Sequence, residues 1–195
     1  MFVQIIEARV RDRDGLLRQW SAWDEQCRPG AIGFLGSTGG LTDDGRFFTV
    51  ARFESEEAAR QNAERPEQGS WWQETAKVFE GEPSFSNSTE IDQFLDGGSD
   101  DAGFVQIMRG RADRAQLQKL LADVEPVLRR ERPEIYGGIT AWDGDRLTDI
   151  VYFRSEAEAR EGEKKMAETP GGPGERLADI VSDLEFIDLR EPLIR

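Results

Sequence analysis

The stretch that decides the fold is Phe53-Glu54-Ser55-Glu56-Glu57-Ala58-Ala59-Arg60. It returns 100 residues later, counting from Phe53 to Phe153, as Phe153-Arg154-Ser155-Glu156-Ala157-Glu158-Ala159-Arg160. A second stretch, Phe2-Val3-Gln4-Ile5, returns as Phe104-Val105-Gln106-Ile107, an offset of 102 residues from Phe2 to Phe104. Because the order and the spacing persist across the whole half, we interpret the chain as one unit written twice in tandem.

Each copy has the pattern of a strand, a helix, two strands, a helix and a final strand. The two middle strands of the second copy meet at Asp143-Gly144, a strong hairpin signal, and Ser55 and Ser155 are typical N-caps of the helix that follows. Prolines at positions 66 and 170 interrupt that helix, which we expect to resume near Trp71 and Glu175. The last strands are expected at residues 83–89 and 186–194. The pattern predicts an α+β fold made of tandem ferredoxin-like (βαββαβ) repeats.

We place the first copy at residues 1–94, a linker at 95–102 and the second copy at 103–195. The linker is rich in Gly and Asp and has no periodic apolar pattern. One copy alone gives a four-stranded antiparallel sheet with both helices on one face. Several strands are apolar on both faces, so each sheet needs cover on its second face as well. We therefore expect the two sheets to pack together as a pseudo-dimeric α/β barrel.

Composition excludes several classes of function. The formal net charge of −14 disfavours nucleic acid and anionic membrane surfaces as partners. The sequence has no His, which removes the most common general base, haem ligand and zinc ligand. A lone cysteine, Cys27, and an N-terminus without a secretory pattern indicate a cytoplasmic protein. We expect no cofactor, no metal and no membrane insertion, and either a monomer with an internal pseudo-dimer or a homodimer.

The stretch from Phe53 to Arg60 resembles the antibiotic-biosynthesis-monooxygenase family, and its repetition extends the resemblance over nearly the whole chain. The resemblance implies a dimeric α/β barrel. It also implies activities such as cofactor-independent oxygenation of aromatic polyketides or haem degradation, although the family includes domains without an assigned reaction. The motif itself has a structural explanation, because Ser caps the helix and small Ala residues let it approach the sheet. Function must therefore be argued residue by residue.

The polar catalytic residue types of the family are not retained in either copy. In the quinone-forming oxygenases the resemblance assigns Trp, Asn, Tyr and Arg to positions that here hold Phe53, Thr49, Ala59 and Gln73. In the second copy the first three of these positions hold Phe153, Asp149 and Ala159. The haem-degrading branch of the family needs an axial His. By the same alignment, Trp72 falls near the position of that His.

The resemblance places a pocket between sheet and helices in each copy. Its candidate ligand-binding residues are Gln4, Thr49, Phe53, Trp72, Gln106 and Phe153. The two glutamines lie on apolar strands, so each amide needs a backbone partner or a ligand. Trp72 either stacks on a planar ligand or fills the core, and its neighbour Trp71 then points elsewhere.

Asp149 is the candidate catalytic acid or base, because it lies on an otherwise apolar strand face where burial raises a carboxyl pKa. The alternative is that it reaches water or pairs with Arg109 or Arg111. Two functions follow from these alternatives. The first is a monooxygenase-like protein that binds a small planar aromatic or hydrophobic molecule and oxidises it without a cofactor. The second is a non-catalytic ligand-binding or stress-associated α/β barrel.

Overall fold

A computed structural model describes all residues, Met1–Arg195, and divides them into two compact units. The first unit is Met1–Thr89 with Leu193–Arg195, and the second is Glu90–Pro192. The expected tandem α+β repeat is confirmed, since each unit has one antiparallel sheet and three helices.

The elements of the first copy follow the predicted order. They are β1 (Phe2–Val10), α1 (Arg13–Gln26), a 3-10 turn (Arg28–Gly30), β2 (Phe34–Leu41), β3 (Arg46–Phe53), α2 (Glu56–Ala63), α3 (Pro66–Ala76) and β4 (Phe79–Ser88). A further strand, β5 (Ile91–Leu95), precedes the second copy. The last predicted strand of this copy thus begins at Phe79, earlier than expected.

The second copy repeats this order. Its elements are β6 (Phe104–Arg111), α4 (Arg114–Glu131), β7 (Ile135–Asp143), β8 (Arg146–Phe153), α5 (Glu156–Ala167), α6 (Pro173–Ala178), β9 (Ser182–Leu189) and β10 (Leu193–Ile194). The expected strand at 186–194 is therefore two strands, because the chain leaves the sheet after Leu189 and pairs again at Leu193.

Each sheet has five strands and not the four that a single repeat supplies. The strand orders are β10-β2-β3-β1-β4 and β5-β7-β8-β6-β9. The fifth strand of the first sheet, β10, follows the second copy in the chain, and the fifth strand of the second sheet, β5, follows the first copy. The two repeats thus exchange their final strands.

Side-chain caps explain where the helices begin. Asp12 accepts a hydrogen bond from the Gly15 amide at the start of α1, and Asp113 accepts one from the Gln116 amide at the start of α4. Ser55 and Ser155 cap α2 and α5 in the same way, as the sequence predicts. The helix in the first copy resumes at Pro66 itself rather than near Trp71, because proline is favoured in the first turn of a helix.

The three central strands of the second sheet, β7, β8 and β6, are mostly buried on both faces, as their two-sided apolar pattern predicts. On one face Val105, Ile107 and Ile150 are almost completely inaccessible to solvent. The other face carries Gln106, Met108 and Asp149 toward the helices of the same unit. The candidate site lies on this second face.

Candidate functional site

The second unit contains a cavity of about 710 Å³ between its sheet and its helices. A cavity of this size is typical of small-molecule sites, which are mostly apolar with a few polar groups. Its wall is mainly apolar and is formed by residues of β5, β6, α4, the loop after α4, β7, β8, α5, α6 and β9. Its apolar side chains include Phe94, Met108, Leu121, Phe153, Leu177 and Phe186.

Asp149 lies in the wall of this cavity and is only 7% exposed. Its Oδ1 accepts a hydrogen bond of 2.8 Å from the Thr140 hydroxyl on the neighbouring strand. Burial raises the pKa of Asp149 to about 7, and the Thr140 hydrogen bond opposes that rise. A carboxyl with a pKa near the operating pH can both accept and donate a proton.

Asp149 has no cationic partner. The two arginines considered in the sequence analysis bind other carboxylates: Arg109 lies 3.9 Å from Glu185, and Arg111 lies 2.8 Å from Asp145. The alternative that Asp149 pairs with one of these arginines is therefore wrong. The reason is its position in mid-strand opposite Met108, on the covered face of the sheet.

A polar network occupies one side of the cavity wall. The Gln106 amide donates a 3.1 Å hydrogen bond to Oδ1 of Asp188, its cross-strand neighbour on β9. The Arg160 guanidinium on α5 contacts the other oxygen of Asp188 and lies 3.1 Å from Glu163. The network neutralises the charge of the half-buried Arg160 guanidinium.

A buried ion pair forms another part of the wall. Arg132, 5% exposed, donates to the carboxylate of Glu134, 7% exposed. The same guanidinium lies against α5, where a Cβ on Gly162 would come within 2.1 Å of its Nε atom. Glycine is thus required at position 162 because helix and guanidinium approach so closely.

The structure brings three of the predicted site residues together. Asp149, Gln106 and Phe153 all line the cavity of the second unit. Gln4, Thr49, Phe53 and Trp72 belong to the first unit and take no part in this cavity. The predicted site therefore divides between the two copies.

The four first-unit residues are engaged in local contacts. Gln4 donates a 3.3 Å hydrogen bond to the side chain of Asn87, so the expected backbone partner is wrong for this glutamine as it is for Gln106. The buried Thr49 hydroxyl donates to the Thr38 carbonyl oxygen at 3.3 Å. Phe53 packs against Phe34 with ring centroids 5.7 Å apart. Each group has a partner within the protein.

Trp72 belongs to the apolar core of the first unit. Its ring contacts Phe79 and Phe85, with centroid separations of 6.2 and 5.5 Å. Trp71 points elsewhere and donates a 2.7 Å hydrogen bond from its indole nitrogen to the Gln19 carbonyl oxygen on α1. Trp72 itself is half-buried, and its contact with the core residue Phe79 favours the core-filling alternative.

Arg195 takes, in the first unit, the place that Phe94 has in the second. Arg195 exchanges two backbone hydrogen bonds with Ser37, and Phe94 pairs with Gly138, which is the equivalent position on β7. The Arg195 guanidinium lies 3.9 Å above the ring of Trp20 and 2.7 Å from Asp24. These contacts fill a region of the first unit whose counterpart, around Phe94, is cavity wall in the second unit.

Several cavity residues carried no sequence signal. Arg60 and Arg160 occupy the same position of the repeated motif, but Arg60 pairs with Glu57 and Glu64 at the surface. Arg160 differs from it in that it also contacts Asp188 on β9 and lies 5.2 Å from the ring centroid of Phe104 on β6. Phe94 was missed because the strand that carries it follows the first copy and pairs with β7.

Solved proteins share this fold. A "putative monooxygenase" from Lactobacillus acidophilus matches with a TM-score of 0.72 and 11% identity over 100% of this chain and 98% of that chain. Another "putative monooxygenase", from Fusobacterium nucleatum, matches with a TM-score of 0.71 and 10% identity over 100% of this chain and 93% of that chain. The fold is shared from end to end.

An "anthrone oxidase-like protein" matches with a TM-score of 0.62 and 8% identity over 99% of this chain and 92% of that chain. Likeness at such low identity establishes a monooxygenase-like fold, and the chemistry must be argued from the residues. No protein-family model and no curated protein matches the sequence. None of the helices has the length and apolar character needed to cross a membrane.

Proposed function

We propose that the second unit binds a small planar aromatic or hydrophobic molecule and promotes its oxidation by O₂ without a cofactor, with Asp149 as the base. The observation that carries this proposal is a buried carboxyl with a pKa raised to about 7 in the wall of an apolar cavity of about 710 Å³. The monooxygenase-like fold supports the same reaction class by analogy.

The chemistry needs only a base and a dry pocket. An electron-rich aromatic molecule that transfers a proton to Asp149 gains one unit of negative charge, and its deprotonated form transfers electrons to O₂ more readily than its protonated form does. Phe94, Phe153 and Phe186 supply ring faces and edges against which a planar molecule can pack. The reaction has no step that requires a His or a metal ion.

Oxygen consumption tests the proposal. Anthrone- and quinol-type substrates are incubated with the wild-type protein and with Asp149→Asn, which keeps the size of the side chain and removes the base. Loss of a general base reduces turnover by about 10²–10⁴-fold. The wild-type rate should rise with pH through about 7, the pKa of Asp149.

Asp143→Asn is the matched control, because Asp143 is an exposed carboxylate at the end of the neighbouring strand β7. Its rate should equal that of the wild type. An Asp149→Asn variant that turns over substrate at the wild-type rate would contradict the proposed role of Asp149.

A non-catalytic binding protein is the second candidate function. It is favoured by Phe53, Phe153, Ala59 and Ala159, which stand where the resembled oxygenases carry polar catalytic side chains. The two functions differ in one readout: a pure binding protein takes up the ligand and returns it unaltered. Ligand recovered unchanged under O₂ from wild-type protein that binds it would favour this candidate.

The partner in either case is a small molecule, and we place the protein in the cytoplasm. Its single cysteine, Cys27, is buried and free, and burial raises the pKa of its thiol. A thiol of this kind is typical of a reducing compartment. Fractionation of the producing cells, followed by detection of the protein, tests the location.

A further inference from the structure

The charged groups of the cavity wall differ in whether the protein supplies a partner of opposite charge. They are Arg132, Asp149, Arg160, Glu163, Glu175 and Asp188, contributed by the end of α4, by β8, by α5, by α6 and by β9. Both guanidiniums are neutralised within the protein, Arg132 by Glu134 and Arg160 by Asp188 and Glu163. The cavity therefore offers no unpaired positive charge.

Glu175 is also held by the protein. Its Oε2 accepts a 2.6 Å hydrogen bond from the Gly171 amide. Asp149 differs from all the other charged groups, because its one protein partner is the uncharged Thr140 hydroxyl on Oδ1. No protein donor bonds its Oδ2, and yet the residue is 93% buried. This carboxyl lacks the cation that would stabilise its ionised form.

We propose that the ligand of this cavity is a hydrophobic amine, whose ammonium group pairs with Asp149 while its aromatic or apolar body fills the rest of the cavity. This inference rests on the proposed ligand site and names the chemical class that it selects. A carboxylate in an apolar site attracts a cation strongly, since little water screens the pair. Phenylalanine side chains line the same cavity, and the face of an aromatic ring attracts a cation.

The pairing also serves the proposed chemistry. The ammonium N–H bond can break as the O–H bond forms on the buried carboxylate of Asp149, which turns an ion pair into two neutral groups. The neutral amine keeps the electron pair of that bond and is the electron-rich form of the ligand. Asp149 is then at once the group that selects the ligand and the base that deprotonates it.

Three probes of nearly one shape measure the selection. They are 1-naphthylmethylamine, the neutral 1-naphthylmethanol and the anionic 1-naphthoate, titrated calorimetrically into the full-length protein at about pH 8. A hydrogen bond to a charged partner should make the amine bind at least about tenfold more tightly than the alcohol. The naphthoate should bind more weakly than either.

Two variants identify the group responsible. Asp149→Asn keeps the shape of the site. Asp149→Thr introduces the residue that the first unit has at the equivalent position, Thr49, so the fold already accommodates it there. Either variant should bind the alcohol as the wild type does and lose the preference for the amine. In the wild type the preference should also fall as the pH is lowered through about 7, where Asp149 becomes protonated.

The outcomes separate this inference from the function on which it rests. Binding of the alcohol with no preference for the amine overturns the inference and leaves the ligand site standing. A preference that survives both Asp149 substitutions also overturns it, because the selection then comes from Glu163, Glu175 or Asp188. Failure of all three probes to bind overturns both proposals.

Discussion

Replacing Asp149 by asparagine should stabilise the second unit at about pH 8 and have little effect below about pH 4. In the native state burial raises the pKa of Asp149 to about 7, whereas the ordinary value is 3.8. A difference of this size corresponds to about 4 kcal/mol of linked free energy. Relaxation of the site and entry of water make that figure an upper bound.

The sign follows from which state holds the proton. Below about pH 3.8 the carboxyl is neutral in both the native and the unfolded chain, and it contributes no destabilisation. Between 3.8 and about 7 the unfolded chain ionises while the native state keeps its proton, so the wild-type stability falls. Above about 7 the loss is complete. Asparagine is neutral throughout, so its variant escapes this loss.

Denaturant-dependent hydrogen exchange of peptide segments from β7 and β8 provides the assay, because it reads the free energy of opening in the second unit alone. Wild type, Asp149→Asn and the exposed control Asp143→Asn are compared at several pH values from 4 to 8. The Thr140 hydroxyl can still donate to the amide oxygen of asparagine, so the hydrogen bond at Oδ1 is conserved.

The stability difference between wild type and Asp149→Asn should grow with pH and level off above about 7. A difference that is constant over this range would refute the reasoning, because it would mean that Asp149 titrates alike in both states. The same pH dependence in Asp143→Asn would assign the effect to net charge rather than to burial.

Three further predictions concern the cavity wall and the helices. Arg132→Met should destabilise the second unit by about 3–5 kcal/mol, because Glu134 is left buried without its cation, and Arg132→Met combined with Glu134→Met should recover most of the loss in urea denaturation. Gly162→Ala should lower the melting temperature, since the added Cβ meets the Arg132 Nε. In contrast, Gly69→Ala in α3, where nothing lies within 4 Å of the added Cβ, should raise stability by about 0.5–1 kcal/mol. A rise in melting temperature for Gly162→Ala would show that the helix and the guanidinium separate at little cost.

The repeat and the order of elements were predictable because they depend on local patterns. Ser55 and Ser155 each precede an acidic first turn and cap the helix that follows. Asp143-Gly144 closes a hairpin through its own backbone preferences. The fifth strands were not predictable in this way. β10 has two residues, and its pairing with β2 is a contact between segments far apart in the chain.

The candidate site was predictable in part for the same reason. Asp149 was found because a carboxylate on an apolar strand face is anomalous within its own strand. Arg160 was overlooked because it occupies the same motif position as Arg60. The sequence does not show that Arg160 contacts Asp188 on β9, whereas Arg60 pairs with glutamates of its own helix region at the surface. Trp72 was singled out because it is a large aromatic residue, but it is half-buried and packs between the core residue Phe79 and the exposed Phe85.

The exchange of final strands determines when each sheet can be completed during synthesis. β2 emerges early from the ribosome, but its outer neighbour β10 begins only at Leu193. At about 5–20 residues per second, the ribosome needs about 10–30 seconds to make the chain between these two strands. During that time the free edge of β2 can pair with another chain. The second sheet has no such delay, since β5 is made before β7. Both sheets are nevertheless completed almost together, because β9 of the second sheet ends at Leu189 and β10 begins four residues later at Leu193.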